Sequence, residues 1–193
     1  MAKILYLSND EELFEFLKSD NNELVQTMDD ISENFVKNEK FDFIISYRYL
    51  RILKEDVLRH FNQSAINLHI SFLPYNRGVY PNLWSFVENT PNGVSIHYMS
   101  AGLDKGDIIA QKQIVFNPEN ETFLSSYNTL QSEIKGLFKK NWLKIKNKTI
   151  KPKAQIGIGS YHRYSDADYL LSLMPNGWDT NVAEFLEILN KNR

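Results

Sequence analysis

The stretch "INLHISFLPYNRGVYPNLW" (residues 66–84) brings an amide, an imidazole and a guanidinium close together as Asn67, His69 and Arg77. Asn67 and His69 are two residues apart in an apolar run, so in an extended strand both side chains leave from one face. Over a cleft, that pair supplies two hydrogen-bond donors to a single developing oxyanion, which is what acyl transfer requires. Inside a closed core the same pair would instead satisfy buried backbone groups. Asp104 lies in "SAGLDKGDII" (100–109) between Gly102 and Gly106, whose backbone freedom suits a tight loop. A carboxylate there can orient an imidazole and accept a proton from an attacking amine, although an isolated turn aspartate is equally at home in solvent. His97, in "GVSIHYM" (93–99), adds another imidazole on the run before that loop.

These groups need a scaffold, and the apolar pattern predicts one. "KILYLS" (3–8) reads as a strand, followed by "NDEELFEFLK", where Asn9 or Asp10 can cap a helix with acids in its first turn. "ELVQTM" (23–28) with "DDISENFVKNEK" repeats the unit weakly. "FDFIISY" (41–47) repeats it as a continuous apolar run, the mark of a strand covered on both faces. A helix over 53–61 and a strand over 64–70 complete a βαβαβαβ order, which predicts a mostly parallel, Rossmann-like α/β sheet with flanking helices. "PNLWSFVENT" (81–90) predicts a helix opened by proline, and the runs 93–99 and 107–116 predict strands close enough to pair antiparallel. Residues 117–145 carry apolar side chains at the spacing of one long amphipathic helix, with a start at Asn117. The chain thus divides into a catalytic domain over 1–148 and a short C-terminal appendage over 149–193.

Composition narrows the function classes. The 193 residues have a formal net charge of −2, which gives no global attraction to nucleic acid or anionic membrane. No cysteine is present, so disulfides, thiolate catalysis and cysteine metal sites are excluded. The N-terminal apolar run is too short for a signal peptide, and no run approaches a membrane span. A cytoplasmic protein without a metal is expected. A dinucleotide-dependent dehydrogenase is disfavoured, because G-x-G-x-x-G is absent.

"NLHISFLPYNRG", "NGVSIHYM" and "GLDKGDIIAQ", in that order and spacing, together with "FDFIISYRYLRIL" (41–53), resemble the formyltransferases that use 10-formyltetrahydrofolate. The resemblance runs over about residues 41 to 147. It implies a catalytic set of Asn67, His69 and Asp104, with Asn67 and protonated His69 holding the oxyanion and Asp104 positioning His69. It also implies a pterin site on the loop after the 41–47 strand and on the aspartate loop, here Tyr49, Leu50, Arg51, Ile52 and Leu53 with Gly102 and Leu103, read largely through backbone groups.

Departures within the resemblance address the acceptor. A glycinamide-ribonucleotide enzyme would carry a glycine-rich phosphate loop after its first strand, whereas this chain has "LSNDEEL" with three acids there. A methionyl-tRNA enzyme would carry a sizeable basic C-terminal domain, for which the residues after the long helix are too few. "KKNWLKIKNKTIKPK" (139–153), with seven lysines, is read as a solvated helix end rather than a tRNA contact. "LPYNRGVYPNLWSF" and "GSYHRYSDADYL" (159–170) resemble segments of the sugar-nucleotide N-formyltransferases. That resemblance implies a dTDP-, GDP- or UDP-linked amino sugar as acceptor, for bacterial surface polysaccharide. Arg77 would meet the diphosphate or sugar, Tyr75, Tyr80 or Trp84 would stack on a ring, and His97 would lie on the acceptor side. A homodimer is expected, because the tail is short for a nucleotide platform. The competing class is a non-catalytic folate-binding module on the same fold.

Overall fold

The structure is a computed structural model and describes residues 1–192. Its first half repeats strand–helix units: β1 (Lys3–Leu7), α1 (Glu11–Ser19), β2 (Glu23–Gln26), α2 (Glu33–Glu39), β3 (Phe43–Tyr47), α3 (Glu55–Leu58) and β4 (Ala65–His69). Next come β5 (Arg77–Gly78), α4 (Pro81–Val87), β6 (Gly93–Tyr98), β7 (Ile108–Gln113) and α5 (Phe123–Lys146). The tail holds β8 (Tyr161–His162), α6 (Asp168–Ser172) and α7 (Val182–Lys191). The six-stranded sheet has the order β2-β1-β3-β4-β6-β7. Its first four strands are parallel, and β6 and β7 each pair antiparallel with their neighbour. The fold is therefore the expected α/β sheet with antiparallel strands at one edge.

Local chemistry sets the helix ends. Asp10 caps α1 by accepting from the Leu13 N–H at 2.9 Å. The long helix starts later than the sequence suggests. Asn117 caps a separate 3₁₀ turn at Pro118–Asn120, while Thr122 and Ser125 exchange hydrogen bonds of 3.0 and 2.9 Å and open α5. α3 is shorter than the predicted 53–61, since Lys54 offers no capping side chain and the backbone tightens to three-residue bonds at His60 and Phe61. Leu53 and Phe61 are nonetheless buried on either side of it.

The two faces of the sheet differ, and the difference places the site. One face presents Ile4, Tyr6, Phe43, Ile45, Ile66, Leu68, Val94 and Ile96 to α1 and α5. The opposite face is apolar on β1 and β3, where Leu5, Leu7 and Ile44 meet α2 and α3. Alternation puts Asn67 and His69 of β4 and Ser95 and His97 of β6 on that second face, in the register Asn67↔His97 and His69↔Ser95. A polar floor thus opens where the covering helices stop. A third cluster joins Leu83 and Phe86 of α4 and Phe123 of α5 to Ala167, Leu170, Val182, Phe185 and Leu189 of the tail.

Trp142 anchors α5 against β3. It is 1 % exposed, packs edge-on against Phe43 with ring centres 5.8 Å apart, and donates from Nε1 to Asp20 at 2.8 Å. Trp142→Ala is expected to cost about 3–5 kcal/mol, measured as a lower midpoint in urea or thermal unfolding.

Candidate active site

Asp104 stands at the centre of the polar floor. It is 7 % exposed and held at a left-handed φ of 51°, a conformation that few non-glycine residues adopt. One carboxylate oxygen accepts from Asn67 Nδ2 at 3.3 Å and lies 3.4 Å from His97 Nε2. The other accepts the Gly78 backbone N–H at 2.9 Å and lies 3.7 Å from His69 Nε2. Residues from β4, β5, β6 and the β6–β7 loop therefore converge on one carboxylate. Both hydrogens of the Asn67 amide are engaged, the second reaching His97 Nε2 at 3.3 Å.

Electrostatics follow from this burial. Burial pushes the His69 imidazole below its ordinary value; the Asp104 charge opposes that and nearby His97 adds to it. For Asp104, burial favours the neutral acid, yet His69, His97 and the Gly78 N–H outweigh it and hold the carboxyl well below the usual carboxylate range. At neutral pH the site thus contains a carboxylate facing a neutral His69. His97 donates from Nδ1 to the Tyr98 carbonyl at 2.8 Å, which leaves Nε2 to accept from Asn67 or, when protonated, to face Asp104.

The loop after β4 completes the frame. Gly78 is required where it stands: a Cβ would lie 2.2 Å from the His162 carbonyl oxygen, and φ is +89°. Asn76 is fully buried, donates to Thr90 at 2.8 Å and exchanges hydrogen bonds with Ser160 of the tail. Its carbonyl lies 3.4 Å from His69 Nε2, so the tail reaches the His69 imidazole through one residue.

Placement of the other expected residues varies. Asn67, His69 and Asp104 come together as expected. Arg77 is turned inward: Nε donates to the Asp104 carbonyl at 3.2 Å and Nη2 to Gln155 at 2.7 Å. His97 is 2 % exposed and sits beneath Asp104. Trp84 is stacked on His162 with ring centres 3.8 Å apart, so that face of its indole is already covered. Tyr80 meets Tyr164 and Trp178, each with ring centres 5.5 Å away, and Tyr75 is half-buried in the loop. In the expected pterin loop, Leu50 and Ile52 are 79 % and 77 % exposed and Leu103 is 43 % exposed, whereas Leu53 is in the core. Tyr49 and Arg51 fasten this loop to Asp29 and Asp30.

Gln155 is a site residue that sequence reasoning missed. Its amide nitrogen donates to the carbonyls of Asp104 at 2.7 Å and Gly106 at 2.8 Å, and its oxygen accepts from Arg77. No local pattern marks it, because its partners lie 49 to 78 residues away. Gln155→Leu leaves two carbonyls and a guanidinium without this partner. The variant is expected to lose about 10–10²-fold in turnover by misplacing Asp104, while its far-ultraviolet circular dichroism stays unchanged.

Among the described residues no group of His, Asp or Glu is arranged to hold a metal ion, and no helix is long and apolar enough to cross a membrane.

Residues 8–139 match the family described as Formyl transferase, so the match begins well before the motifs that first suggested it. Methionyl-tRNA formyltransferase of Thermodesulfovibrio yellowstonii is 33% identical over 135 residues, covering 67% of this chain and 43% of that protein. The chain spans less than half the length of the curated relatives it matches. A crystal structure of the formyltransferase PseJ from Anoxybacillus kamchatkensis, in complex with UDP-4,6-dideoxy-4-formamido-L-AltNAc and tetrahydrofolate, superposes with a TM-score of 0.90. It shares 40% identity and covers 95% of this chain and 96% of that one. A 4-N formyltransferase from Francisella tularensis has the same fold, with a TM-score of 0.77, 21% identity and coverage of 88% and 79%.

Proposed function

This chain belongs to the formyl transferase family, and we propose that it moves the formyl group of 10-formyltetrahydrofolate onto the amine of a nucleotide-linked amino-dideoxy sugar. A UDP-linked sugar is the first choice, with dTDP- and GDP-linked sugars after it. The observation that carries this reading is the likeness over nearly the whole chain to PseJ, whose structure holds a UDP-linked formamido sugar and tetrahydrofolate. The convergence of Asn67, His69 and Asp104 on one polar floor supports it.

The chemistry follows from the geometry. The neutral amine attacks the formyl carbon, a C–N bond forms, and the carbonyl electron pair moves onto oxygen. That oxyanion competes with Asp104 and His97 for an Asn67 amide hydrogen, and it favours a proton on His69. Asp104 stabilises the imidazolium and takes up the amine proton, directly or through water. Collapse of the intermediate breaks the bond to N10, which receives the proton taken from the amine, returned by Asp104 directly or through water, and leaves as tetrahydrofolate. Exposed Leu50, Ile52 and Leu103 give the folate an apolar rest, and the backbone of Tyr49–Leu53, Gly102 and Leu103 reads the pterin edge. No step calls for a metal. The setting is the cytoplasm, the product serves surface polysaccharide such as lipopolysaccharide, and the working form is a homodimer.

The test supplies 10-formyltetrahydrofolate with UDP-, dTDP- and GDP-linked amino sugars or with formyl-free methionyl-tRNA and follows tetrahydrofolate release. Turnover with a sugar nucleotide supports the reading. Turnover only with the tRNA transfers the activity to the other acceptor, and folate binding without turnover of any amine leaves a binding module.

A further inference from the structure

Asn76 takes a left-handed backbone, with φ at 52°, and is fully buried. Such a conformation persists only where the surroundings hold it, and here they come from two distant places in the chain. The Asn76 backbone N–H donates to Ser160 Oγ at 2.9 Å, and that hydroxyl donates back to the Asn76 side-chain oxygen at 3.0 Å. The amide nitrogen donates to Thr90 Oγ1 at 2.8 Å. Ser160 lies 84 residues away and Thr90 lies 14 away. The Ser160 carbonyl also accepts the Arg77 N–H at 3.1 Å, so the loop is tied on both sides of the Asn76 carbonyl. That carbonyl is the polar group the frame leaves over, and it faces His69 Nε2 at 3.4 Å.

The surroundings of the His69 ring are asymmetric. Nε2 faces two acceptors, the Asn76 carbonyl and Asp104 Oδ2 at 3.7 Å, and no donor among the described residues. A bare Nε2 would set its lone pair against two oxygens that have no hydrogen to give, since Asp104 is ionised. Nδ1 has no hydrogen-bond partner among the described residues, yet it is not one of the buried unpaired atoms, so it is open to solvent. The hydrogen of the neutral ring thus belongs on Nε2 and the lone pair on Nδ1.

We propose that Asn76, fastened by Ser160 and Thr90, is a positioning residue that holds His69 in its Nε2–H tautomer and turns Nδ1 toward the reacting formyl oxygen. The proposal deepens the formyl-transfer reading above and rests on it. Nδ1 takes up a proton from water as the oxyanion forms, donates that N–H to the oxyanion, and returns the proton to water when the intermediate collapses. Ser160 and Thr90 meet no reacting atom in this scheme and act only through Asn76 and His69.

The test is ring-nitrogen NMR of the full-length protein carrying isotope-labelled histidine, at neutral pH where burial keeps His69 uncharged, joined to steady-state kinetics. The His69 signals are those that vanish in His69→Gln. In the parent, Nε2 is expected at the shift of an N–H nitrogen and Nδ1 at that of a bare one. Ser160→Ala removes both hydroxyl bonds and keeps the Ser160 carbonyl on the Arg77 N–H. It is expected to draw the two ring shifts together as the other tautomer becomes populated, and to lower kcat about tenfold. KM for both substrates should stay unchanged. Ser160→Thr keeps a hydroxyl and is expected to restore the parent's shifts and turnover. Thr90→Val, close in shape, repeats the measurement from the other side of Asn76 should Ser160→Ala unfold. A hydrogen on Nδ1 in the neutral parent overturns the proposal, and so does a variant that loses turnover with its ring shifts unchanged. Unchanged shifts and kcat in both variants overturn it while the formyl-transfer reading stands. A parent that formylates no amine overturns that reading, and the positioning role with it.

Discussion

Asn67→Ala and His69→Ala are each expected to slow formyl transfer by about 10²–10³-fold, the usual loss when one preorganised oxyanion donor is removed. Asn67 is held in place by its amide hydrogens on Asp104 and His97, both at 3.3 Å, and the oxyanion gains its donor by exchanging one of these long bonds. His69 lies beside it on the same face of β4, two residues along. Neither change opens a large apolar cavity, because both side chains border the polar floor rather than the clusters beneath the sheet. Folate affinity and unfolding midpoint should therefore stay near those of the parent while turnover falls. A parallel loss of folate binding would assign these residues to the cofactor instead.

Asp104→Asn is expected to lower turnover by about 10²-fold or more and to shift the titration of His69 in a defined direction. The amide oxygen can still accept from Gly78, so the loop keeps its backbone tie, but the charge that opposes desolvation of His69 is lost. The His69 pKa, already below its ordinary 6.5 in the parent through burial, should drop further, as read by proton–carbon NMR of the ring. The stability signs follow by linkage. For His69 the unfolded chain binds more protons below pH 6.5, so its contribution to stability is lost as pH falls from there toward the folded value. Asp104 stabilises the fold above its ordinary 3.8, and that contribution disappears as pH falls below it. The asparagine variant should lack this second acid-labile component.

Much of this arrangement was legible in the residues, and what was hidden has a physical cause. Continuous apolar runs identified β1, β3 and β4, because strands covered on both faces need little else. Asn67 and His69 were legible because a two-residue spacing survives folding into a strand. Asp104 was found by its glycine-flanked loop, although its left-handed backbone and the Gly78 N–H that holds it were not visible. Helix limits were harder. Asn117 and Thr122 both offer caps, and only the reciprocal Thr122–Ser125 bonds decide between them. Long-range ties were not legible at all: Gln155 to Asp104, Ser160 to Asn76 and His162 to Trp84 join residues between 51 and 84 positions apart or across two packed elements. Arg77 and Trp84 were identified as chemically apt side chains, yet their positions are fixed by those same ties. The inward turn of Arg77 depends on Gln155, and the covered face of Trp84 depends on a β8 strand of two residues.

Formyl transfer from 10-formyltetrahydrofolate to a UDP-linked amino sugar, with product identity read by mass spectrometry, tests the central claim most directly when the parent and the Asn67→Ala, His69→Ala and Asp104→Asn variants are compared side by side. The expected result is a formamido sugar nucleotide from the parent, with the three variants reduced by about 10² or more. A parent that formylates only methionyl-tRNA, or variants that match the parent, would contradict it.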